Sequence, residues 1–392
     1  MIHRDYLIVG AGLSGASVCE GIREHDRKGS VMMVGAESFL PYNRPPLSKG
    51  FLKSPKPDVE KLQHTDAKWY EKNHIELRLD TMVTQFNIER HLAVLRNGQT
   101  VEFRKACLAT GSRPRRPPVA GANLGNIFYL GSIRDALAIR EMTAVEKEIV
   151  VIGGGFIAAE ASAALTEAKC SVTLMNRDHF FWQKWIDAET SQWLTAYFAN
   201  RGVKLMMGEN LNGFEGKTVL KNIQTKSGSR FLAGMALVAV GADPNIELVQ
   251  NTPLSSPNGT PVNSYLETDE KGIFAAGDIA LFPDKIFDGV RRVRHWENAR
   301  EQGKIAGANM TGKKRIKFDS VPRFFSDMFD LHFDFVGDFN FPPGSVKIEG
   351  DRKKKHFIAR YFQGSRVRGI VLCNQPPEKA EAARKEIRET WR

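Results

Sequence analysis

Two short glycine runs carry the first chemistry legible in this 392-residue chain. Gly10-Ala11-Gly12-Leu13-Ser14-Gly15 and Gly153-Gly154-Gly155-Phe156-Ile157-Ala158 share one spacing of small residues. In that spacing the first glycine allows a tight turn and the second lets backbone approach a pyrophosphate. The third small residue lets a helix pack closely on a strand, and the phosphates rest on the helix N-terminus. One such run is a weak signal. Two in one chain point to two bound dinucleotides and to electrons passing between them.

The elements needed to position these runs are visible around them. Residues 5–9 read as a buried parallel strand, 16–23 as a helix and 31–35 as the next strand. Glu37 follows that strand, where a carboxylate accepts from ribose hydroxyls. Around the second run, 148–152 reads as strand, alanine-rich 156–165 as helix and 171–175 as strand. The last of these ends in Asn176-Arg177 and not in an acid. An acid there binds the 2′-hydroxyl of NAD and repels the 2′-phosphate of NADP. Arg177 suits a phosphate and Asn176 a ribose hydroxyl, so NADH and NADPH both stay open. Glu160 lies on the helix after the second run, either on a solvated face or buried against a cation. The loop of residues 41–50 is stiffened by prolines and carries Arg44 and Lys49.

Composition sets the outer limits. The length suits two or three domains, and 42% hydrophobic with 26% charged residues is ordinary for a globular protein. No run of about 18 apolar residues is present, so no membrane span is expected. A strand beginning close to Met1 leaves no room for a targeting segment. Cys19, Cys107, Cys170 and Cys373 form no close pair, which argues against a disulfide scaffold, a zinc ribbon or an intrinsic iron–sulfur site. A reducing, cytoplasmic setting is the simplest expectation. The net charge of +11 suits either an acidic partner or general solubility. The basic runs at 313–315 and 352–355 lack interleaved aromatics, which disfavours nucleic acid without closing the question. His3, His64, His74, His91, His179, His332 and His356 are scattered without metal-ligand spacing, so no metal site is expected and each reads as ordinary. Phe180-Phe181-Trp182 and Trp185 read as core, with a nicotinamide shield or a homodimer face as the alternative.

Longer motifs narrow the field: VGAGLSG at 9–15, RPPLSKGFL at 44–52, ATGSRPRR at 109–116, VIGGGFIAAE at 151–160, VGADPN at 240–245, IFAAGDIA at 273–280, HWENAREQGKIAGANMTGK at 295–313 and VPRFFSDMF at 321–329. In this order the chain resembles the two-dinucleotide flavoprotein disulfide-reductase superfamily. More narrowly it is similar to the branch without a redox disulfide, which holds ferredoxin and rubredoxin reductases and apoptosis-inducing-factor-like flavoproteins.

The resemblance implies an α/β fold with two Rossmann-like, glutathione-reductase-like domains and a small α/β C-terminal domain. FAD would bind residues 1–110 and 241–320, NAD(P)H residues 111–240, and the C-terminal domain would span 321–392. Its strands are visible at 356–362 and 367–372 and its closing helix at 377–391. The implied FAD contacts are Gly10, Gly12, Leu13, Ser14, Gly15, Glu37, Arg44, Lys49, Val83, Ala109, Thr110, Gly111, Asp278, His295, Trp296 and Phe325. The implied NAD(P)H contacts are Gly153, Gly155, Phe156, Ile157, Glu160, Asn176, Arg177, Val240 and Gly241. Lys49, by the flavin N5, would pair with Glu160 as the catalytic couple. The aromatics Phe324, Phe329, Phe333 and Phe335 would pack the C-terminal part on the flavin domain.

Departures from the pattern also carry meaning. No cysteine occupies residues 38–46, where disulfide-reducing branches have a redox pair or a single cysteine. Phe325 stands where ferredoxin reductases commonly have Trp, and Arg294-His295 where a glutamate commonly precedes the flavin-facing helix. The expected function is NAD(P)H-dependent reduction of a small acidic ferredoxin or rubredoxin through FAD. Reduction of a quinone, radical or oxygen is the alternative within enzymes. A slow, apoptosis-inducing-factor-like redox sensor is the alternative outside them.

Overall fold

Strands buried on both faces form the centre of each half of the chain. All four residues of Val31–Val34 are buried, as are the last four of Ile2–Val9 and the last three of Thr100–Leu108. That pattern belongs to parallel strands covered by helices on both sides. The structure is a computed structural model and describes residues 1–341 and 344–391. It divides into two compact units.

The first unit comprises Met1–Asn43, Glu60–Arg113 and Asp243–Arg323. Its seven-stranded sheet has the order Ile75–Arg78, Val31–Val34, Ile2–Val9, Thr100–Leu108, Leu92–Leu95, Val83–Asn87, with Ile273–Ala275 also on Thr100–Leu108. The first four strands and Ile273–Ala275 run parallel, and the other two form an antiparallel hairpin. Thr100–Leu108 serves both, pairing with the hairpin through residues 100–102 and with Ile273–Ala275 through 106–108. The late segment therefore completes the sheet that the N-terminal residues begin. Helices Leu13–His25 and Trp296–Thr311 meet backbone to backbone, since a Cβ on Gly21 would lie 2.1 Å from the Lys304 carbonyl oxygen.

The second unit comprises Arg44–Val59, Pro114–Ala242 and Phe324–Arg392. Its parallel sheet has the order Lys204–Met207, Ser171–Asn176, Glu148–Ile152, Met235–Val238, Ile127–Phe128. A three-stranded antiparallel meander follows, Leu211–Gly216, Leu220–Thr225 and Arg230–Leu232. The C-terminal part is a five-stranded sheet in the order Arg323–Met328, Leu331–Gly337, Arg366–Cys373, His356–Gln363, Ser345–Asp351. Helix Pro377–Thr390 packs on it through Ala380, Ala383 and Ile387. Two Rossmann-like sheets and a small α/β C-terminal domain thus make up the fold.

The aromatics of 324–335 find ring partners within this second unit. Phe324 meets Phe156 edge-on at 4.6 Å, Phe333 meets Trp182 at 5.4 Å and Phe329 meets Phe198 at 5.3 Å. The reason is supply of surface: the segment 156–198 offers its own rings, and Phe181 and Trp182 are buried in that cluster as core. Arg44–Val59 is anchored here too, because Arg140 Nη1 donates to the carbonyls of Phe51 and Leu52 at 3.0 and 2.9 Å.

Candidate active site

The two glycine loops are geometric counterparts. Gly10 has φ +120 and a Cβ there would lie 2.1 Å from the Ala109 carbonyl oxygen; Gly153 has φ +138 and would meet the Ala239 carbonyl oxygen at 2.3 Å. Each loop is therefore wedged against the neighbouring parallel strand's end. By contrast, a Cβ on Gly12 or Gly155 would meet nothing within 4 Å. These two residues are the N-caps of Leu13–His25 and Phe156–Glu167, and among the described residues no side chain caps either helix. Elsewhere Asp66, Ser132 and Asp187 cap their helices with side-chain oxygens. Two helix N-termini are thus left with free N–H groups and open space, which is what a pyrophosphate needs. Ser14 Oγ is buried with no partner among the described residues. The residues fit a dinucleotide at each loop.

This contrast gives a prediction. Gly12→Val is expected to leave the stability of the FAD-free protein within about 1 kcal/mol, because the position is extended and open. It should nevertheless abolish FAD retention, read from the absorbance of the purified protein. Gly10→Ala should cost about 2 kcal/mol or more in denaturant unfolding, through strain and the carbonyl clash.

Around the first loop, Tyr42 OH donates to Glu37 Oε2 at 2.6 Å, fixing the acid expected to hold ribose. Thr110 Oγ1 donates to the Asn245 carbonyl at 2.7 Å, and Asn245 Nδ2 returns a bond to the Thr110 carbonyl at 2.8 Å. Gly111, at φ +70, follows this clasp. Ser112 Oγ donates to Asp278 Oδ2 at 2.6 Å. Trp296 Nε1 donates to Asn43 Oδ1 at 2.8 Å, and His295 is the N-cap of Trp296–Thr311. Burial, with Arg294 and Arg291 nearby, pushes the His295 imidazole down to about 3, so it is neutral at physiological pH. Of Arg294-His295, Arg294 therefore supplies the formal positive charge. Ala109 and Val83 are buried in the unit's core, Val83 opposite Leu95. Leu13 begins the first helix and Gly15 lies in its first turn, packed on the Gly10 carbonyl. Asn43 and Asn245 were not singled out from sequence, although Asn43 flanks the motif at 44–52 and Asn245 ends the motif at 240–245.

Around the second loop, Asn176 is buried beneath Gly154, where a Cβ would lie 2.3 Å from its Oδ1. Arg177, at the same strand end, has a side chain 68% exposed. Ile157 is exposed, whereas Phe156 stacks on Trp185 at 5.1 Å within the aromatic cluster. The Gly241 carbonyl accepts from Arg115 N at 2.9 Å, and Val240 precedes it. Arg44 Nη1 donates to the Gly131 carbonyl.

Lys49 and Glu160 meet inside the second unit. Lys49 Nζ is 3.2 Å from Glu160 Oε1, with side chains 13% and 6% exposed. Ser326 Oγ donates to Oε1 at 2.6 Å and Ser48 Oγ to Oε2 at 2.5 Å. Burial raises the Glu160 carboxyl above its ordinary value, and Lys49 with the two serines opposes that rise. Nζ also lies 4.4 Å from the Phe325 ring centre and 3.6 Å from Asp327 Oδ2. Asp327 in turn meets His332 Nδ1 at 2.6 Å. Sequence reasoning missed Ser48, Ser326 and Asp327, and it read His332 as ordinary; the structure sets its ring between Asp327 and Asp334. The usable signal was a His-x-Asp alternation on one strand face, just after Ser-Asp.

Two parallel sheets, each bearing a loop shaped for a dinucleotide, with a buried lysine–glutamate pair, define a two-dinucleotide oxidoreductase. Residues 4–303 match the pyridine nucleotide-disulphide oxidoreductase family, and the chain belongs to it as an FAD-dependent NAD(P)H oxidoreductase. Putidaredoxin reductase CamA of Pseudomonas putida is 30% identical over 378 residues, covering 95% of this chain and 89% of that protein. Monodehydroascorbate reductase of Pisum sativum is 29% identical over 414 residues, covering 99% and 95%. A chain from the crystal structure of the covalent putidaredoxin reductase–putidaredoxin complex matches with TM-score 0.92 and 28% identity, over 100% of this chain and 94% of that one. Among the described residues no helix is long and apolar enough to cross a membrane, and no three His, Cys, Asp or Glu are grouped to hold a metal ion.

Proposed function

We propose that the protein takes electrons from NADH or NADPH onto FAD and delivers them to a small acidic iron–sulfur protein of the ferredoxin or rubredoxin kind. FAD is assigned to the loop at Gly10 with Glu37 and Asp278, and NAD(P)H to the loop at Gly153 with Arg177. When bound, the flavin accepts a hydride and releases electrons singly, which joins a nicotinamide donor to a one-electron acceptor. The chain's own residues bind and orient. Lys49 supplies a fixed positive charge for the hydride step, Glu160 holds its Nζ, and Ser48 and Ser326 hold Glu160.

The observation that carries the choice of acceptor is the state of the thiols. All four cysteines are free and buried. Burial pushes the Cys19 and Cys373 thiols up to about 12, far from a reactive thiolate. A separate acceptor therefore fits better than a protein disulfide. The name of the putidaredoxin reductase relative supports an iron–sulfur acceptor, and a net charge of +11 suits electrostatic steering of an acidic protein. A second reading, reduction of a small organic radical, is favoured by the monodehydroascorbate reductase relative. The four free thiols also support a cytoplasmic location as part of this proposal.

Steady-state assays with NADH and NADPH in separate arms test this. The acceptors are a [2Fe–2S] ferredoxin, a rubredoxin, monodehydroascorbate and a quinone. The iron–sulfur proteins should give the highest kcat/KM, falling about tenfold as ionic strength rises from low to physiological values. Preference for the radical or the quinone would establish the second reading. Slow turnover with every acceptor would point to a redox sensor.

A further inference from the structure

Glu160, Lys49, Asp327, His332 and Asp334 form a row of alternating charge within the second unit. Lys49 Nζ is 3.2 Å from Glu160 and 3.6 Å from Asp327 Oδ2. The other oxygen of Asp327 is 2.6 Å from His332 Nδ1, and His332 Nε2 is 3.2 Å from Oδ2 of buried Asp334. Both ring nitrogens therefore face carboxylate oxygens. A neutral imidazole has one N–H and would turn a lone pair on the other carboxylate, whereas an imidazolium donates to both.

The backbone that carries the ring is held independently of Lys49. His332 N donates to Asn374 Oδ1 at 2.7 Å, and Asn374 N donates back to the His332 carbonyl at 2.8 Å. The ring also lies against Phe325, 6.1 Å between centres and 25° from parallel, on the aromatic over which Lys49 sits. Of the other ionisable groups on adjoining elements, Asp330 and Lys355 pair with each other at 2.7 Å. Burial keeps Cys373 a thiol. Among the described residues, His332 pairs with Asp327 and Asp334 and, through Asp327, is linked to Lys49.

We propose that His332 is a positioning residue for Lys49. As an imidazolium it engages one oxygen of Asp327, limits that carboxylate's pull on Nζ and so keeps Nζ on Glu160. Loss of its proton leaves Asp327 with Lys49 as its cation, and Nζ is drawn from Glu160. The proposal rests on the assignment of Lys49 to the hydride step. Hydrogen bonds from Asp327 and Asp334 raise the His332 imidazole to about 9, which supports the charged form at physiological pH. Burial opposes ionisation of Asp327, but the His332 bond and the Lys49 charge outweigh it and hold that carboxyl below its ordinary value.

The test uses the FAD-bound protein as wild type, H332Q, H332K and K49M, with D327N added for spectroscopy. In histidine-labelled protein followed by NMR, with and without FAD, the His332 ring should titrate near 9 and fall toward the ordinary 6.5 in D327N. Stopped-flow reduction by NADH should slow about tenfold as wild type passes from about pH 8 to 10, the weight of one pKa unit of coupling. H332Q should already be slow at neutral pH, with a flat profile and unchanged FAD content, and H332K should restore the neutral-pH rate. An ordinary His332 titration, or superimposable pH profiles in wild type and H332Q, would overturn the role of His332 alone. A K49M protein reduced as fast as wild type would instead remove the reading on which it rests.

Discussion

Lys49→Met is expected to slow reduction of bound FAD by NADH or NADPH about 100-fold, the usual size for loss of one preorganised electrostatic group. FAD content should change little. Methionine keeps an unbranched apolar stem to about the position of Cε and loses the ammonium, whose Nζ now lies 4.4 Å from the Phe325 ring centre. It thereby removes the charge and the donor with little change in bulk. That charge is cheap to use at the moment of reaction because it is already fixed, 13% exposed and bonded to a carboxylate that two serines hold. If Lys49 acts only as the hydride moves, the rate constant falls and the concentration dependence on NAD(P)H stays the same. A weaker apparent affinity at unchanged limiting rate would mean that Lys49 merely helps to bind the donor. An unchanged rate at every concentration would reduce the pair to a structural ion pair.

The parts of this site that were legible in sequence are those set by local geometry. Gly10 and Gly153 need a positive φ and a close carbonyl, and glycine is the residue that permits both. The strands and helices beside them follow from short apolar runs, and their observed limits lie within a few residues of the expected ones. The pairing of Lys49 with Glu160 joins residues 111 positions apart, and no local pattern encodes it; only the family motifs pointed there. Asp327 and His332 lie symmetrically about Phe329-Asp330, between Arg323–Met328 and Leu331–Gly337. A hairpin with that two-residue turn sets them opposite each other, so this contact was readable in principle. It was missed because histidines were weighed as metal ligands and not as cross-strand partners of an acid. The destination of the C-terminal aromatics was not readable at all. Phe324 and Phe333 show that a face is apolar, but the rings of Phe156 and Trp182 that receive them are placed by tertiary packing.

Glu160 allows the structural and chemical duties of the pair to be separated. Glu160→Leu should destabilise the FAD-bound protein by about 3–5 kcal/mol, the usual cost of leaving one member of a buried ion pair without its partner. Lys49 would keep its charge in a site with one fewer carboxylate, and Ser48 and Ser326 would lose their acceptor. Lys49→Met has a milder outcome in stability. The carboxyl left behind is already raised by burial, so without Lys49 it takes up a proton and sheds its charge instead of remaining an uncompensated ion. In the double variant both ions are gone, and apolar side chains of similar volume fill the space. Buried pairs replaced in this way are often no less stable than the originals. The double variant should therefore recover most of the stability lost in Glu160→Leu, giving a coupling of about 2 kcal/mol or more in a double-mutant cycle measured by denaturant unfolding. Its flavin-reduction rate should stay as low as that of Lys49→Met. Recovery of stability without recovery of rate is the signature of a pair kept for chemistry. Recovery of both would show that the site needs only to be filled, and strictly additive stabilities would show that the two side chains do not interact.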